Sequence, residues 1–247
     1  MSTPRPGFAR SSVVMSAARR SVELPELPQD DEEGMPPKTL DQRERDACGV
    51  GFITNISGER SHKVLQEGIR ALECNDHRGG CNYDGVTGDG SGLMTQIPWD
   101  LLQNWSNQEG LGVINPLSAA VGMFFFKPEE EAEARKEIEQ LVSKSQFSFV
   151  GWRQVPVDQS CLGKLALENA PTIYQMVIDG GSLSDDQIEV QTYALRRQIS
   201  KHLDSVFGVN RHYSVSLSNK TIIYKGMMVS HTLAKFYKDL TDTDYVT

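Results

Sequence analysis

Along the chain, hydrophobic positions are sparse at first and then fall into short, regular groups from Cys48 onward. Cys48 to Thr54 and Gly92 to Ile97 have the length and composition of strands, and they bracket a segment of helical spacing. In that segment Val64, Leu65, Gly68, Ile69 and Leu72 share one face. Ser118 to Phe126 is a continuous apolar run, short enough for a buried strand. Pro128 is placed to open a helix whose first turn is rich in Glu, where negative charge suits the helix dipole. Phe147 to Val157 and Thr172 to Ile178 read as strands. Ser184 with Gln187 is a capping-box pattern for a long helix that turns Ile188, Leu195, Ile199 and Leu203 inward. Tyr213 to Leu217 and Thr221 to Met227 predict a hairpin across Ser218-Asn219-Lys220. A last amphipathic helix carries Leu233, Phe236, Tyr237 and Leu240. Strands and helices interleave without strict alternation. The pattern predicts an α+β fold with sheets packed face to face between helical layers.

Ahead of Cys48 the pattern is of another kind. Residues 1–22 carry Arg5, Arg10, Arg19 and Arg20 among several serines and no acid, the composition of an organelle transit peptide. Residues 23–47 then turn acidic, with Glu23, Glu26, Asp30, Asp31, Glu32 and Glu33. Such a stretch cannot bury enough apolar surface to offset its ordering entropy, so residues 1–47 are expected to be a disordered leader. It is either a tail of no consequence or a transit segment followed by a propeptide cut between Ala47 and Cys48. The folded part is then residues 48–247.

Composition narrows the function classes. With 38% hydrophobic and 23% charged residues over 247 positions, the chain is ordinary for a globular domain. A net charge of -8 argues against a general nucleic-acid binder. The longest apolar run, around Ala119 to Phe126, is far below the ~18 residues of a membrane span. The 4 cysteines, Cys48, Cys74, Cys81 and Cys161, are irregularly spaced and do not read as a disulfide framework.

Three blocks carry the candidate chemistry. Cys48-Gly49-Val50-Gly51-Phe52 puts a thiol at the head of an expected strand, His77-Arg78-Gly79-Gly80 ends the first expected helix, and Gly88-Asp89-Gly90-Ser91-Gly92 leads into the next strand. Cys48 alone reads as a small core hydrophobe or as a nucleophile. Arg78 alone reads as a surface arginine in a turn or as a fixed positive charge beside a thiol. The glycine-rich block is not a phosphate cradle, because a strand follows it and no Lys-Ser or Lys-Thr does. Asp84 and Asp89 do not match a calcium loop. Cys74, His77 and Cys81 could present three metal ligands, yet no fourth recurs at a matching distance, and no metal is expected. Cys161 is isolated and reads as structural.

Taken together and in this order, the three blocks resemble the class II glutamine amidotransferase domain at the front of glutamate synthase large chains. The likeness runs from Asp46 to Leu240 and includes Leu93-Met94-Thr95-Gln96-Ile97-Pro98-Trp99, Gly151-Trp152-Arg153-Gln154-Val155-Pro156-Val157 and Thr221-Ile222-Ile223-Tyr224-Lys225-Gly226-Met227. His-Arg-Gly-Gly-Cys and the serine in Gly-Asp-Gly-Ser-Gly look most like the ferredoxin-dependent plastid and cyanobacterial branch. The resemblance implies a four-layer αββα sandwich of the N-terminal-nucleophile type, incomplete at its C-terminal end. It implies Cys48 as the nucleophile that hydrolyses L-glutamine and Arg78 as a site-shaping residue. It places FMN and an iron–sulfur cluster in downstream synthase domains, with ferredoxin as electron donor and 2-oxoglutarate as ammonia acceptor. The location it implies is the plastid stroma, or the cytoplasm of a cyanobacterium-like cell.

One departure qualifies that expectation. The family binds the glutamine carboxylate with an arginine in a His-Arg-x-Phe-Ser-Thr-Asn strand and builds its oxyanion hole in a His-Asn-Gly-Glu loop. Neither run occurs in this sequence, which holds no Asn-Gly pair. The chain alone is therefore expected to be inactive, with an unpaired sheet edge and with Phe124 and Phe126 less covered than in the whole domain. The alternative is a non-catalytic relic or regulatory binding domain with the same half-fold.

Overall fold

The structure, a computed structural model, describes residues 48–247. The expected leader, with its transit-like and acidic parts and its cut before Cys48, lies outside the described residues. The chain is mixed α and β, with antiparallel sheets. Its elements are α1 (His62–Cys74), β1 (Ser91–Gln96), α2 (Trp99–Gln108), β2 (Ala119–Phe126), α3 (Glu131–Ser143), β3 (Ser148–Gln154), α4 (Lys164–Glu168), β4 (Thr172–Asp179), α5 (Asp185–Phe207), β5 (Tyr213–Ser218), β6 (Thr221–Gly226) and α6 (Ser230–Phe236).

One sheet has the order β3-β4-β2-β5, and a second consists of β1 paired with β6. Every pairing among these strands is antiparallel. β2 lies inside the larger sheet, and its alternation is read on two buried faces. Ala120, Phe124 and Phe126 pack with Ala134, Ile138 and Val142 of α3 and with Ile188, Leu195, Ile199 and Leu203 of α5. Val121 and Met123 point the other way, into a cluster with Ile97, Ile222, Tyr224, Leu233 and Phe236. A continuous apolar run is what a strand covered on both sides requires. α5 opens on a complete capping box, in which the Gln187 backbone N–H donates to Ser184 Oγ and the Ser184 N–H donates to Gln187 Oε1. α1 and α6 pack against β1 and against each other.

Four expectations are corrected. Cys48 to Thr54 is not a strand: no ladder includes it, and Val50 and Phe52 stand 94% and 88% exposed. Its residue pattern suits a strand, but a strand needs a partner edge. The unused edge of β1 does not meet it, and the two segments instead line one cavity of about 580 Å3. Secondly, β5 and β6 do not form a hairpin ladder. β5 takes the edge of β2, β6 takes β1, and the short turn between them carries the chain from one sheet to the other. Thirdly, Phe124 and Phe126 are fully buried, stacked on each other and edged by Trp152. Val50, Phe52, Ile56 and Met94, near β1, are among the exposed apolar side chains. Lastly, the expected final helix breaks at Tyr237, whose ψ of 103° is extended, and resumes as a single 3-10 turn over Lys238–Thr241.

A polar network threads the apolar cluster between β3, β4, β6 and that last turn. Arg153 donates twice to Asp239, at 2.7 Å each, and once to Gln175 Oε1 at 2.9 Å. Gln175 donates to Tyr224 Oη, and Tyr224 donates in turn to Asp239. All four side chains are buried, and burial pushes the Tyr224 hydroxyl well above the usual tyrosine range. A buried charge pair holds only when its remaining donors and acceptors are met. Here they are.

Candidate active site

α1 runs out at Cys74, and a 3-10 turn over Asp76–Arg78 follows directly. The junction places three consecutive functions on one short stretch. Asn75 anchors backward, its side-chain amide donating to the Ala71 carbonyl at 3.1 Å. Arg78 reaches the other way, its guanidinium donating to the backbone carbonyl of Cys48 at 3.2 Å. Asp76 reaches a third element: the Ser230 backbone N–H donates to Asp76 Oδ1 at 3.0 Å, the Ser230 hydroxyl donates to the same oxygen, and His231 Nδ1 lies 3.0 Å from Oδ2. The His231 and Ser230 hydrogen bonds hold the Asp76 carboxyl below the usual carboxylate range.

Gly49 makes a close approach to the turn. A Cβ built there would stand 3.2 Å from Arg78 Cβ and Cγ and from Asn75 Oδ1. The backbone of the Cys48 segment thus lies close on the 3-10 turn, and a side chain there would be tightly packed. Cys48 itself is exposed, and the cavity shared with β1 begins next to it at Gly49. Its floor includes Leu65, Gly68 and Leu72 of α1.

The second and third blocks are joined by a reciprocal pair. The Gly80 N–H donates to Asp89 Oδ2, the Asp89 N–H donates to the Gly80 carbonyl, and both distances are 3.1 Å. Gly90 then turns the chain into β1 with φ of 136°, in the region that favours glycine. Between them a tight loop is organised by Asp84, which accepts from Thr87 Oγ1 at 2.6 Å and from the Thr87 and Val86 N–H groups. Those bonds, the Thr87 hydroxyl first, lower the Asp84 carboxyl. The acid is spent on the loop.

The structure therefore brings Cys48 and Arg78 together through the cysteine backbone, and joins the Arg78 block to the glycine-rich block through Asp89. His77 Nδ1–H donates to the Cys74 carbonyl at 3.0 Å, and both it and Cys81 are exposed. Among the described residues no group of three His, Cys, Asp or Glu is placed to hold a metal ion. Cys161 Sγ donates to the Asp158 carbonyl at 3.0 Å, and burial raises its thiol. Sequence reasoning missed Asn75, Asp76, Ser230 and His231. Ser230 could have been found as a helix start by its residue type. Its pairing with Asp76 joins positions 154 apart, which no local pattern reveals.

Residues 48–247 match the model of the class II glutamine amidotransferases, and the match begins at Cys48. The chain is 36% identical over 255 residues to the chloroplastic ferredoxin-dependent glutamate synthase of Spinacia oleracea, covering 96% of this chain and 16% of that protein. It is 41% identical over 206 residues to ferredoxin-dependent glutamate synthase 1, chloroplastic/mitochondrial, of Arabidopsis thaliana, covering 82% of this chain and 13% of the relative. It is 40% identical over 205 residues to ferredoxin-dependent glutamate synthase 2 of Synechocystis sp., again 82% and 13%. The chain thus spans about one-seventh of the length of these relatives. With a family match that takes in all of the described residues, the chain belongs to the class II glutamine amidotransferases.

Proposed function

We propose that this chain is the glutamine-hydrolysing segment of a ferredoxin-dependent glutamate synthase, with Cys48 as nucleophile and Arg78 shaping the site. The observation that carries the reading is that the family match begins at the one cysteine whose backbone an arginine of the site holds. Residues 48–247 form the amidotransferase part and residues 1–47 the leader. The packing of α3 and α5 on one sheet, and of α1 and α6 on the other, supports the αββα layering of N-terminal-nucleophile enzymes.

In this reading the Cys48 sulfur attacks the side-chain amide carbon of L-glutamine, ammonia leaves, and water cleaves the resulting thioester to give glutamate. A free thiol titrates near about 8.5 and needs a base at neutral pH. An α-amino group, with a pKa of about 7.7–8.0, can serve once the peptide bond between Ala47 and Cys48 is cut. An amide nitrogen cannot. The His-Arg-x-Phe-Ser-Thr-Asn and His-Asn-Gly-Glu runs that would supply the carboxylate clamp and the oxyanion donors do not occur in this sequence. Removal of such donors typically costs ~10²–10³ in rate. The complete enzyme then works in the plastid stroma, or in a cyanobacterium-like cytoplasm, with ferredoxin as donor, a reading supported by the chloroplastic and ferredoxin-dependent names of the relatives. FMN and an iron–sulfur cluster belong to downstream domains.

The test is made in the whole synthase. Cys48→Ala is expected to abolish glutamine-dependent glutamate formation and to leave ammonia-dependent formation largely intact. Equal loss of both activities would refute the assignment. N-terminal sequencing of the native enzyme should begin Cys-Gly-Val-Gly-Phe, and an intact Met1 on active protein would end the maturation step.

A further inference from the structure

We infer that Asp76 is a positioning residue for this site, a latch that fixes the Arg78 turn, and through it the Cys48 segment, to the start of α6. The inference rests on the glutaminase reading only for its effect on turnover; the latch itself stands on geometry. The segment from Cys48 to Thr54 belongs to no ladder, and among the described residues its one side-chain hydrogen bond is from Arg78. Whatever sets the Arg78 turn therefore sets the cysteine. The turn itself is a single 3-10 turn with no side-chain cap, and so short a piece is marginal without outside support.

That support comes from Asp76. Its Oδ1 accepts both the Ser230 N–H and the Ser230 hydroxyl, and its Oδ2 faces His231 Nδ1. One carboxylate thus takes up an unpaired N–H at the start of α6, where a negative charge is favoured. α6 is in turn fixed through Leu233 and Phe236 in the apolar cluster. The order of attachment is core, α6, Asp76, Arg78, Cys48. Asp76 makes no recorded hydrogen bond to the Cys48 segment, so an effect of its removal there must pass through the turn. Charge alone does not explain the arrangement, because the carboxylate uses both oxygens in a fixed fork. Asn at this position keeps the size but loses one acceptor oxygen, and Glu keeps both acceptors on a longer stem.

The experiment compares the full chain with its Asp76→Asn, Asp76→Ala and Asp76→Glu variants by thermal unfolding and peptide-resolved deuterium exchange. With unfolding temperatures unchanged, exchange is expected to rise about 10-fold in peptides covering 75–80, where the Asn75, Arg78, Gly79 and Gly80 N–H groups are hydrogen-bonded, in the Asn and Ala variants, because local opening of the turn sets exchange there. Asp76→Glu should restore much of the protection. Unchanged exchange in 75–80 overturns the inference, and so does a uniform rise with lower unfolding temperature, which would mark a general structural role. In the whole synthase the Asn variant should lower kcat for glutamine with little change in KM, and ammonia-dependent turnover should stay. If Cys48 proves dispensable there while the exchange result holds, the glutaminase reading fails and the latch survives.

Discussion

The four-stranded sheet and the two-stranded sheet differ in how completely each is enclosed. β2 has a partner strand on both edges and an apolar layer on both faces, and its side chains are almost wholly buried. β1 has one partner, β6, and an alternating half-exposed pattern, with Met94 open to solvent beside the loose Cys48 segment. Both regions belong to one fold, yet only β2 is covered on both faces and both edges. The difference teaches where stability and chemistry reside. Rigid enclosure sits around β2, while the thiol, its arginine and the cavity sit on the partly enclosed side, held by a few polar contacts.

The comparison can be broken most strongly at the network that ties the two sides together. Asp239→Ala removes the partner of buried Arg153 and should destabilise the chain by about 3–5 kcal/mol. Replacing both residues with apolar ones of similar volume should be far milder. Chemical denaturation measures both, and a small loss for Asp239→Ala would mean the sheets are joined by apolar packing alone. The next effect is at the α5 start. Ser184→Ala breaks the capping box and should cost about 1 kcal/mol on the enclosed side, with exchange around Cys48 unaltered.

A third effect is set by pH. His212 is buried against Phe207 and Phe126, and burial pulls its pKa down even though Glu130 opposes the shift from 3.3 Å. The neutral ring is the folded form, so the unfolded chain binds the extra proton. Stability is then lost as pH falls below about 6.5, the ordinary histidine value. His212→Gln should flatten the dependence of unfolding temperature on pH in that window, and a slope unchanged by the substitution would remove His212 as its source. The smallest effect belongs to the open side. Phe52→Ser, at a ring 88% exposed, should change stability by no more than about 0.5 kcal/mol. A large loss would show that the Cys48 segment is packed in solution.

Periodicity revealed what is locally encoded. The inward faces of α1 and α5, the capping box and the apolar run of β2 follow from residue spacing, because each is decided within a few turns or along one strand. Cys48 and Arg78 were also visible, through their neighbours in the chain. What escaped depends on distant partners. The Cys48 segment has a strand's composition, but whether it pairs depends on an edge elsewhere. β5 and β6 look like a hairpin until β2 and β1 compete for them and win. The same holds for Asp76, whose role exists only when Ser230 arrives. α2 was hidden by its many Asn, Gln and Ser residues, since its buried face mixes Trp99, Leu101 and Leu102 with the polar Ser106.

The Asp76–Ser230 contact also sets an order in time. α1 and the turn after it involve neighbours in sequence and can form as soon as they leave the ribosome, whereas their anchor lies 154 positions further on. β1 waits as long, since Ser91 pairs with Gly226. Domains assemble as the chain emerges, and contacts between distant segments come last. The surroundings of Cys48 thus acquire their geometry only after Gly226 and Ser230 have emerged. Until then the Cys48 thiol is carried by a turn without its distant anchor.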